Sequence, residues 1–299
     1  MAETPGDAKL GPAGAHLMAF SHKMQQREAQ KPRGPAKVLQ LPLWPEAKRG
    51  APNAVLRGAL FAAIQGKGRI AMHRQELIAT QDGVTIRYTG DQLDQADLDV
   101  WEAILHLARL QGLGTELHFT AHAFLKALGR QTGKSGHDWL SSAFARLGAT
   151  WVEISDGHRT YLGSLIEGGA RDEDTGRYVL EINPKLVRFF GPTHWTQIDW
   201  EQRQTLRRKP LALWLHGFYA SHAEPFPLTV EYLHKLSGSQ TKQLRYFKKN
   251  LIQALRDLQA AGAIRGFEIR DDLVHVQTVP SQSQRKHLAA RRPPARRRK

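Results

Sequence analysis

Cysteine is absent from the 299 residues, which excludes disulfides, zinc ribbons and thiolate catalysis and fits a reducing compartment. Any metal site would have to be built from histidine and carboxylates alone. Aromatic residues are scarce at 8%, yet 41% hydrophobic content over this length suffices to bury a core and to build two domains of ordinary size. No window holds eighteen consecutive apolar residues, and His16, His22, Lys23 and Arg27 lie where a signal peptide would need an apolar stretch. A cytoplasmic protein without membrane contact is expected.

Acidic residues are also in short supply: 28 Asp and Glu face 43 Lys and Arg, for a formal charge of +15. Such an excess points to a polyanionic partner, because each cation placed on a phosphate releases condensed counterions. Its distribution matters more than its sum. Residues 285–299 carry +8 and residues 1–52 carry +4, leaving +3 for the 232 residues between them. Recognition by that middle part therefore requires its cations to be segregated onto one face.

Residues 1–37, rich in Ala, Gly, Pro, Gln and Lys, have little apolar periodicity and read as a disordered arm. The arm ends in Leu39-Gln40-Leu41-Pro42-Leu43-Trp44-Pro45, where two prolines disfavour a helix and leave apolar side chains without periodic cover. It has the character of a docking peptide. Helical spacing of Val55, Leu56, Leu60 and Ile64 then predicts a helix behind an Asn53 N-cap, ended at 66–68. Asp82-Gly83 between two alternating runs predicts a hairpin. Leu98, Trp101, Leu105 and Ala108 predict a helix from Asp97.

Two blocks repeat one plan. Helices over 120–128 and 135–147 flank a turn at 129–133, and β-rich segments follow at 151–154, 160–166 and 177–182, with turns at Asp156-Gly157 and Gly168-Gly169. Downstream, helices over 230–236 and 241–261 flank Gly238, and strands at 266–269 and 273–277 flank Asp271-Asp272. Between the blocks, 199–221 reads as a helix interrupted at Lys209-Pro210. Helix, turn, helix and hairpin, twice, predict an α+β chain of two tandem winged-helix domains at 51–192 and 193–280. The arm with its apolar peptide spans 1–50, and a basic disordered tail spans 281–299.

On a 100° wheel, the helix at 241–261 places Leu244, Phe247, Leu251, Ala254, Leu255 and Leu258 on one side. Lys242, Arg245, Tyr246, Lys249, Gln253 and Arg256 gather opposite, a mixture suited to guanine, adenine and phosphate in a major groove. In the first half, Lys134, Asp138, Ser141, Ser142 and Ala145 face outward, small enough to allow close approach to DNA. The Ser135 and Asp138 pair also has capping-box spacing. The tail, with Arg291, Arg292 and Arg296-Arg297-Arg298-Lys299, suits phosphate contact without sequence preference.

Catalytic signatures fail on spacing. Gly129-Arg-Gln-Thr-Gly133-Lys134-Ser135 resembles a phosphate loop but has three residues between its glycines where four are needed. His118 and His122 lack the glutamate of a zinc protease. Asp91, Asp94, Asp97 and Asp99 read as solvated acids at a helix start rather than a magnesium site. Neither enzyme activity, cofactor nor metal is expected.

Several ordered segments resemble the TrfA family of plasmid replication initiators: Pro52-Asn53 with Arg57 and Ala59-Leu60-Phe61, Tyr88-Thr89-Gly90, and Leu98-Asp99-Val100-Trp101. The resemblance continues through Ser221-His222, Glu224-Pro225-Phe226-Pro227-Leu228, Leu236-Ser237-Gly238-Ser239 and Asp271-Asp272-Leu273-Val274-His275, and so covers about 38–277. It implies binding to repeated origin sequences (iterons), opening of adjacent AT-rich DNA with single-stranded origin DNA as a further ligand, and plasmid copy control. It also implies recruitment of host DnaA and DnaB helicase and a monomer–dimer equilibrium. Gln40, Leu41, Leu43 and Trp44 resemble the peptide by which such initiators engage the polymerase sliding clamp, with Trp in place of the usual Phe. A winged-helix transcriptional regulator or repressor is the alternative.

Overall fold

Strand β1 (Lys48–Pro52), paired antiparallel with residues 195–199, leads into the stretch where periodicity predicts one continuous helix, which holds instead a one-turn helix α1 (Asn53–Leu56) and strand β2 (Phe61–Ala62). The computed structural model that places them describes residues 41–65, 68–111, 117–191, 194–281, 284–285 and 288–289. Residues 1–40 of the N-terminal arm, Gln40 among them, and Arg291 to Lys299 of the tail lie outside the described residues. Two tertiary demands divide the predicted helix. Residues 61–62 are drawn into a parallel pair with 93–94, and a Cβ at Gly58 would come 2.6 Å from the Ala79 carbonyl oxygen. The backbone there bridges to Thr80 instead of coiling. Asn53 is not the N-cap: α1 follows Pro52 without a side-chain cap, and the Thr196 hydroxyl donates to Asn53 Oδ1 at 2.7 Å.

Strands β3 (Ala71–Ile78) and β4 (Thr85–Asp91) form the hairpin expected at Asp82-Gly83. Both turn residues adopt positive φ, 61° and 73°, as a two-residue turn between right-twisted strands requires. After β5 (Leu93–Asp94), helix α2 (Gln95–Gln111) buries Leu98, Trp101, Leu105 and Ala108. Asp94 Oδ1 accepts from the N–H groups of Ala96 and Asp97 at 2.9 Å and so holds the first turn.

The first helix pair lies between strands. After β6 (Leu117–Thr120) come α3 (Ala121–Ala127), α4 (Lys134–Gly148), β7 (Trp151–Ser155), β8 (Thr160–Gly163), β9 (Gly168–Arg171) and β10 (Arg177–Glu181). The hairpin immediately after α4 does not pair with β6. Strands β7 and β8 extend the earlier hairpin into a sheet of order β3-β4-β7-β8, and β9 with β10 completes the order β6-β10-β9. Gly168-Gly169, expected as a turn, is therefore strand. A Cβ at Gly169 would lie 2.4 Å from the Val179 carbonyl oxygen, so glycine here serves close approach of backbones.

A 3₁₀ turn over Pro184–Phe189 leads to β11 (Trp195–Asp199), α5 (Trp200–Thr205), α6 (Pro210–Ala220), β12 (Leu228–Thr229), α7 (Val230–Leu236), α8 (Leu244–Ala260), β13 (Ile264–Arg270) and β14 (Leu273–Thr278). Pro210 opens α6, so the interruption predicted at Lys209-Pro210 is a helix boundary. The order β12-β14-β13 repeats β6-β10-β9: the strand before the helix pair takes one edge and the last strand takes the centre. Thr229 caps α7 by accepting from the Tyr232 N–H at 3.1 Å. Thr229→Ala is expected to cost about 1 kcal/mol, read as a lowered denaturant midpoint at unchanged m-value.

Buried side chains fall into two clusters, one between Leu41 and Ile198, the other between Leu206 and Val274. Strand β11 thus packs with the first half. Arg203 on α5 joins the clusters: it is 1% exposed, and its guanidinium donates to Asp99 Oδ1 at 2.5 Å, to the Gln95 side chain at 3.1 Å and to the Leu213 carbonyl at 3.2 Å. Among the described residues no helix is long and apolar enough to cross a membrane.

Candidate nucleic-acid interface

Helix α8 presents the most strongly divided surface. Phe247, Leu251, Ala254, Leu255 and Leu258 are buried, and Phe247 meets the His234 ring at 4.7 Å. Arg245, Tyr246, Lys249, Gln253 and Arg256 are all exposed on the opposite face. The helix starts at Leu244 rather than 241, so Lys242 stands exposed in the preceding turn. Leu244, expected in the core, is 37% exposed because it occupies the first helical position, one turn before the buried stripe begins at Phe247.

Ion pairing separates cations that hold the fold from cations that do not. Lys248 Nζ reaches Asp272 Oδ1 at 2.5 Å and ties α8 to the β13–β14 turn; Lys209 reaches Asp257 at 2.9 Å. Lys242, Arg245, Lys249 and Arg256 have no carboxylate partner among the described residues. Arg245 is oriented by neighbours, donating from Nε to Gln243 Oε1 at 2.8 Å, with its guanidinium 4.8 Å from the Tyr246 ring centre. Gln253 donates to Asp257 at 3.3 Å, which draws its amide toward the edge of the face. In the turn between β13 and β14, Asp271 and Asp272 adopt φ 47° and 64°. Two acids at that tip leave Arg265, Arg270 and His275 as the basic groups of the hairpin; Arg270 is paired to Glu268.

On α4, Lys134, Ser141 and Ser142 are exposed, while Leu140, Ala143, Phe144 and Leu147 are buried. The Ser142 hydroxyl donates to the Asp138 carbonyl at 2.8 Å, leaving it only lone pairs for a ligand. No capping box forms: the N-cap is Gly133, without a side-chain bond. Trp139 is half-buried rather than in the core, with the Arg130 guanidinium 3.5 Å from its ring centre.

The apolar peptide is not an unprotected tether. Leu41 and Trp44 are 2% and 4% exposed, whereas Leu43 between them projects, at 69%. The indole stacks on Phe190 at 6.1 Å, tilts against Trp195 at 5.7 Å, and donates to His106 Nδ1 at 2.9 Å. An indole can only donate, so His106 Nδ1 accepts and its Nε2 carries the proton toward Glu46 at 2.8 Å. Burial, the largest cause, lowers the His106 pKa and keeps the ring neutral in this role.

The phosphate-loop resemblance dissolves into local geometry. Gly129 ends α3 with φ 59°, in a space where a Cβ would meet Arg207 at 2.6 Å. A Cβ at Gly136 would lie 2.0 Å from the Gln131 carbonyl. His118 lies on β6 and His122 on α3, and no group of three metal-capable side chains occurs among the described residues. Asp94, Asp97 and Asp99, expected to be solvated, are instead buried in ion pairs. Arg69 holds Asp94 at 2.6 Å and Asp97 at 2.8 Å, Arg146 holds Asp97 at 2.7 Å, and Arg203 holds Asp99. Sequence reasoning missed these arginines because their partners lie 25 to 104 residues away.

Residues 16–278 match the family model described as TrfA protein. Over 240 residues the chain is 28% identical to the Plasmid replication initiator protein TrfA of Escherichia coli, covering 78% of this chain and 62% of that protein. The chain therefore spans less than two thirds of that relative's length. In fold, it is similar to the crystal structure of domains 2 and 3 of RctB, with a TM-score of 0.51 at 13% identity, over 76% of this chain and 98% of that one. The family match, extending over most of the sequence and over both repeated sheets, shows that this chain belongs to the TrfA family.

Proposed function

We propose that the chain initiates plasmid replication by binding repeated origin sequences through two winged helices. Helices α4 and α8 are the reading elements, and the β9–β10 and β13–β14 hairpins are the wings. The observation that carries this reading is the basic face of α8 and the turn before it, where Lys242, Arg245, Lys249 and Arg256 have no carboxylate partner among the described residues while Lys248 is held by Asp272. Unpaired guanidinium and ammonium groups on a rigid, convex helix suit base edges and phosphates together. Membership of the TrfA family supports opening of AT-rich DNA and recruitment of DnaA, DnaB helicase and the sliding clamp, in the cytoplasm and without catalysis by the chain itself.

Arg245→Ala and Lys249→Ala are each expected to weaken binding to an origin repeat by about 1–3 kcal/mol, with a smaller loss on random duplex. Removing residues 291–299 should weaken both duplexes alike and reduce the salt dependence. Mobility shifts at two salt concentrations read both effects. Equal losses on both duplexes for the α8 variants would sink the reading-helix assignment. Supplying the protein in trans to a plasmid that carries only the binding sites separates an initiator, which supports its replication, from a transcriptional regulator, which does not.

A further inference from the structure

We infer that the cleft between the two halves is a binding site for a free polyphosphate anion the size of a nucleotide, held by Arg130, Arg207 and Arg208. The cleft has a volume of about 770 Å³, within the range of small-molecule sites. It is walled by the start of α2, the α3–α4 turn and the junction between α5 and α6. Its acids are already neutralised: Asp94 is bound by Arg69 and Asp99 by Arg203. Behind the wall, Asp97 is held by Arg69 and Arg146.

That leaves three guanidinium groups with no carboxylate partner among the described residues. Arg207 is fixed in place, donating to the carbonyl oxygens of Leu128 and Gly129 at the end of α3. Arg130 lies with its flat face over Trp139 at 3.5 Å, so only its edge is available to a ligand, the geometry in which a guanidinium grips phosphate through two parallel N–H groups. Arg208 stands exposed at φ 61°. Burial is the largest cause lowering the Arg130 pKa; Asp99 and Asp94 pull it back up, and the like charges of Arg207 and Arg208 act with burial. An anion relieves the like-charge crowding. The first turn of α4, with no capping side chain and no acid, adds a favourable dipole beside Ser135.

A free anion suits this cleft better than a duplex backbone does. Two of the three arginines are half-buried, and a recess between two halves admits a small ligand more readily than the convex ridge of a double helix. The α8 face, by contrast, is convex and fully exposed. The two sites are therefore separable, and loss of one does not imply loss of the other.

Calorimetric titration of the full chain with inorganic pyrophosphate, with ATP and with a short single-stranded oligonucleotide tests the assignment. Pyrophosphate and ATP are expected to bind with dissociation constants below about 1 mM. Arg130→Gln with Arg208→Gln should weaken both by at least about tenfold, at an unchanged melting temperature and unchanged affinity for the origin duplex. Arg208→Gln alone, on an exposed turn, should show a smaller loss in the same direction even if the double variant folds poorly. Absence of pyrophosphate binding overturns the proposal, as does binding indifferent to both substitutions. Arginine-dependent binding of the oligonucleotide alone also overturns it, because the cleft would then be a DNA backbone contact.

Discussion

Arg203→Ala is expected to destabilise the protein by about 3–5 kcal/mol, because it leaves a buried charge network without its cation. The side chain is 1% exposed and bonds Asp99, Gln95 and the Leu213 carbonyl. Glu102, fully buried 3.6 Å from the guanidinium, has no hydrogen-bond partner for either oxygen among the described residues. Against a total stability of about 5–15 kcal/mol for a typical domain, the loss should appear as a large fall in denaturant midpoint. Arg203 joins the two halves, so the transition should also lose cooperativity. Replacing Arg203, Asp99 and Glu102 together by apolar residues of similar volume should recover much of the loss. A midpoint close to that of the parent protein would refute the view that this network joins the halves.

Glu102 makes the same network sensitive to pH. Burial pushes its carboxyl up to about 7, although Arg203 pulls in the opposite direction. The folded state thus retains a proton that the unfolded chain releases near the ordinary value of 4.5. This favours folding fully below pH 4.5, and the contribution fades as pH rises through 7. Glu102→Gln should remove that decline, so the stability of the parent relative to the variant falls across this window. Parallel curves for the two proteins would show that Glu102 does not titrate there.

Trp44→Ala should cost about 3–5 kcal/mol, a value ordinarily associated with the centre of a core rather than a terminal segment. It removes the stack on Phe190 and the bond to His106, and opens a void beside Gly50, whose missing Cβ makes room for the indole ring. If residues 40–44 engage a sliding clamp, Leu41 and Trp44 must first leave this seat, and the fraction of released protein limits the apparent affinity. A synthetic peptide of residues 38–46 should therefore bind the clamp more tightly than the full chain. The reverse order of affinities would mean that the buried conformation costs the interaction nothing.

The elements legible from sequence are those whose cause is local. The amphipathic stripes of α2 and α8, the Asp82-Gly83 turn and the break at Pro210 all lie where periodicity and turn chemistry put them. The α8 face is legible for the same reason: a period of 3.6 residues separates Arg245, Lys249 and Arg256 from the buried leucines. Periodicity also misled. Val55, Leu56, Leu60 and Ile64 are all buried, as one helix would have them, but only Val55 and Leu56 are helical; past the Gly58 crossing, Leu60 and Ile64 reach the core on a non-helical path.

What local pattern could not decide is which distant segments meet. The β7–β8 hairpin follows α4 directly, yet it joins β3 and β4, and the later β9–β10 hairpin pairs with β6. Trp44 reads as an unprotected aromatic until His106, 62 residues on, and Phe190 are brought around it. Asp99 reads as a solvated helix-start acid until Arg203, 104 residues away, is placed against it. Residue type and spacing thus establish the helices, the turns and the basic face, because backbone and neighbouring side chains act within a few residues. Burial, ion pairing and the cleft between the halves depend on which surfaces exclude water from each other, and only the folded chain settles that.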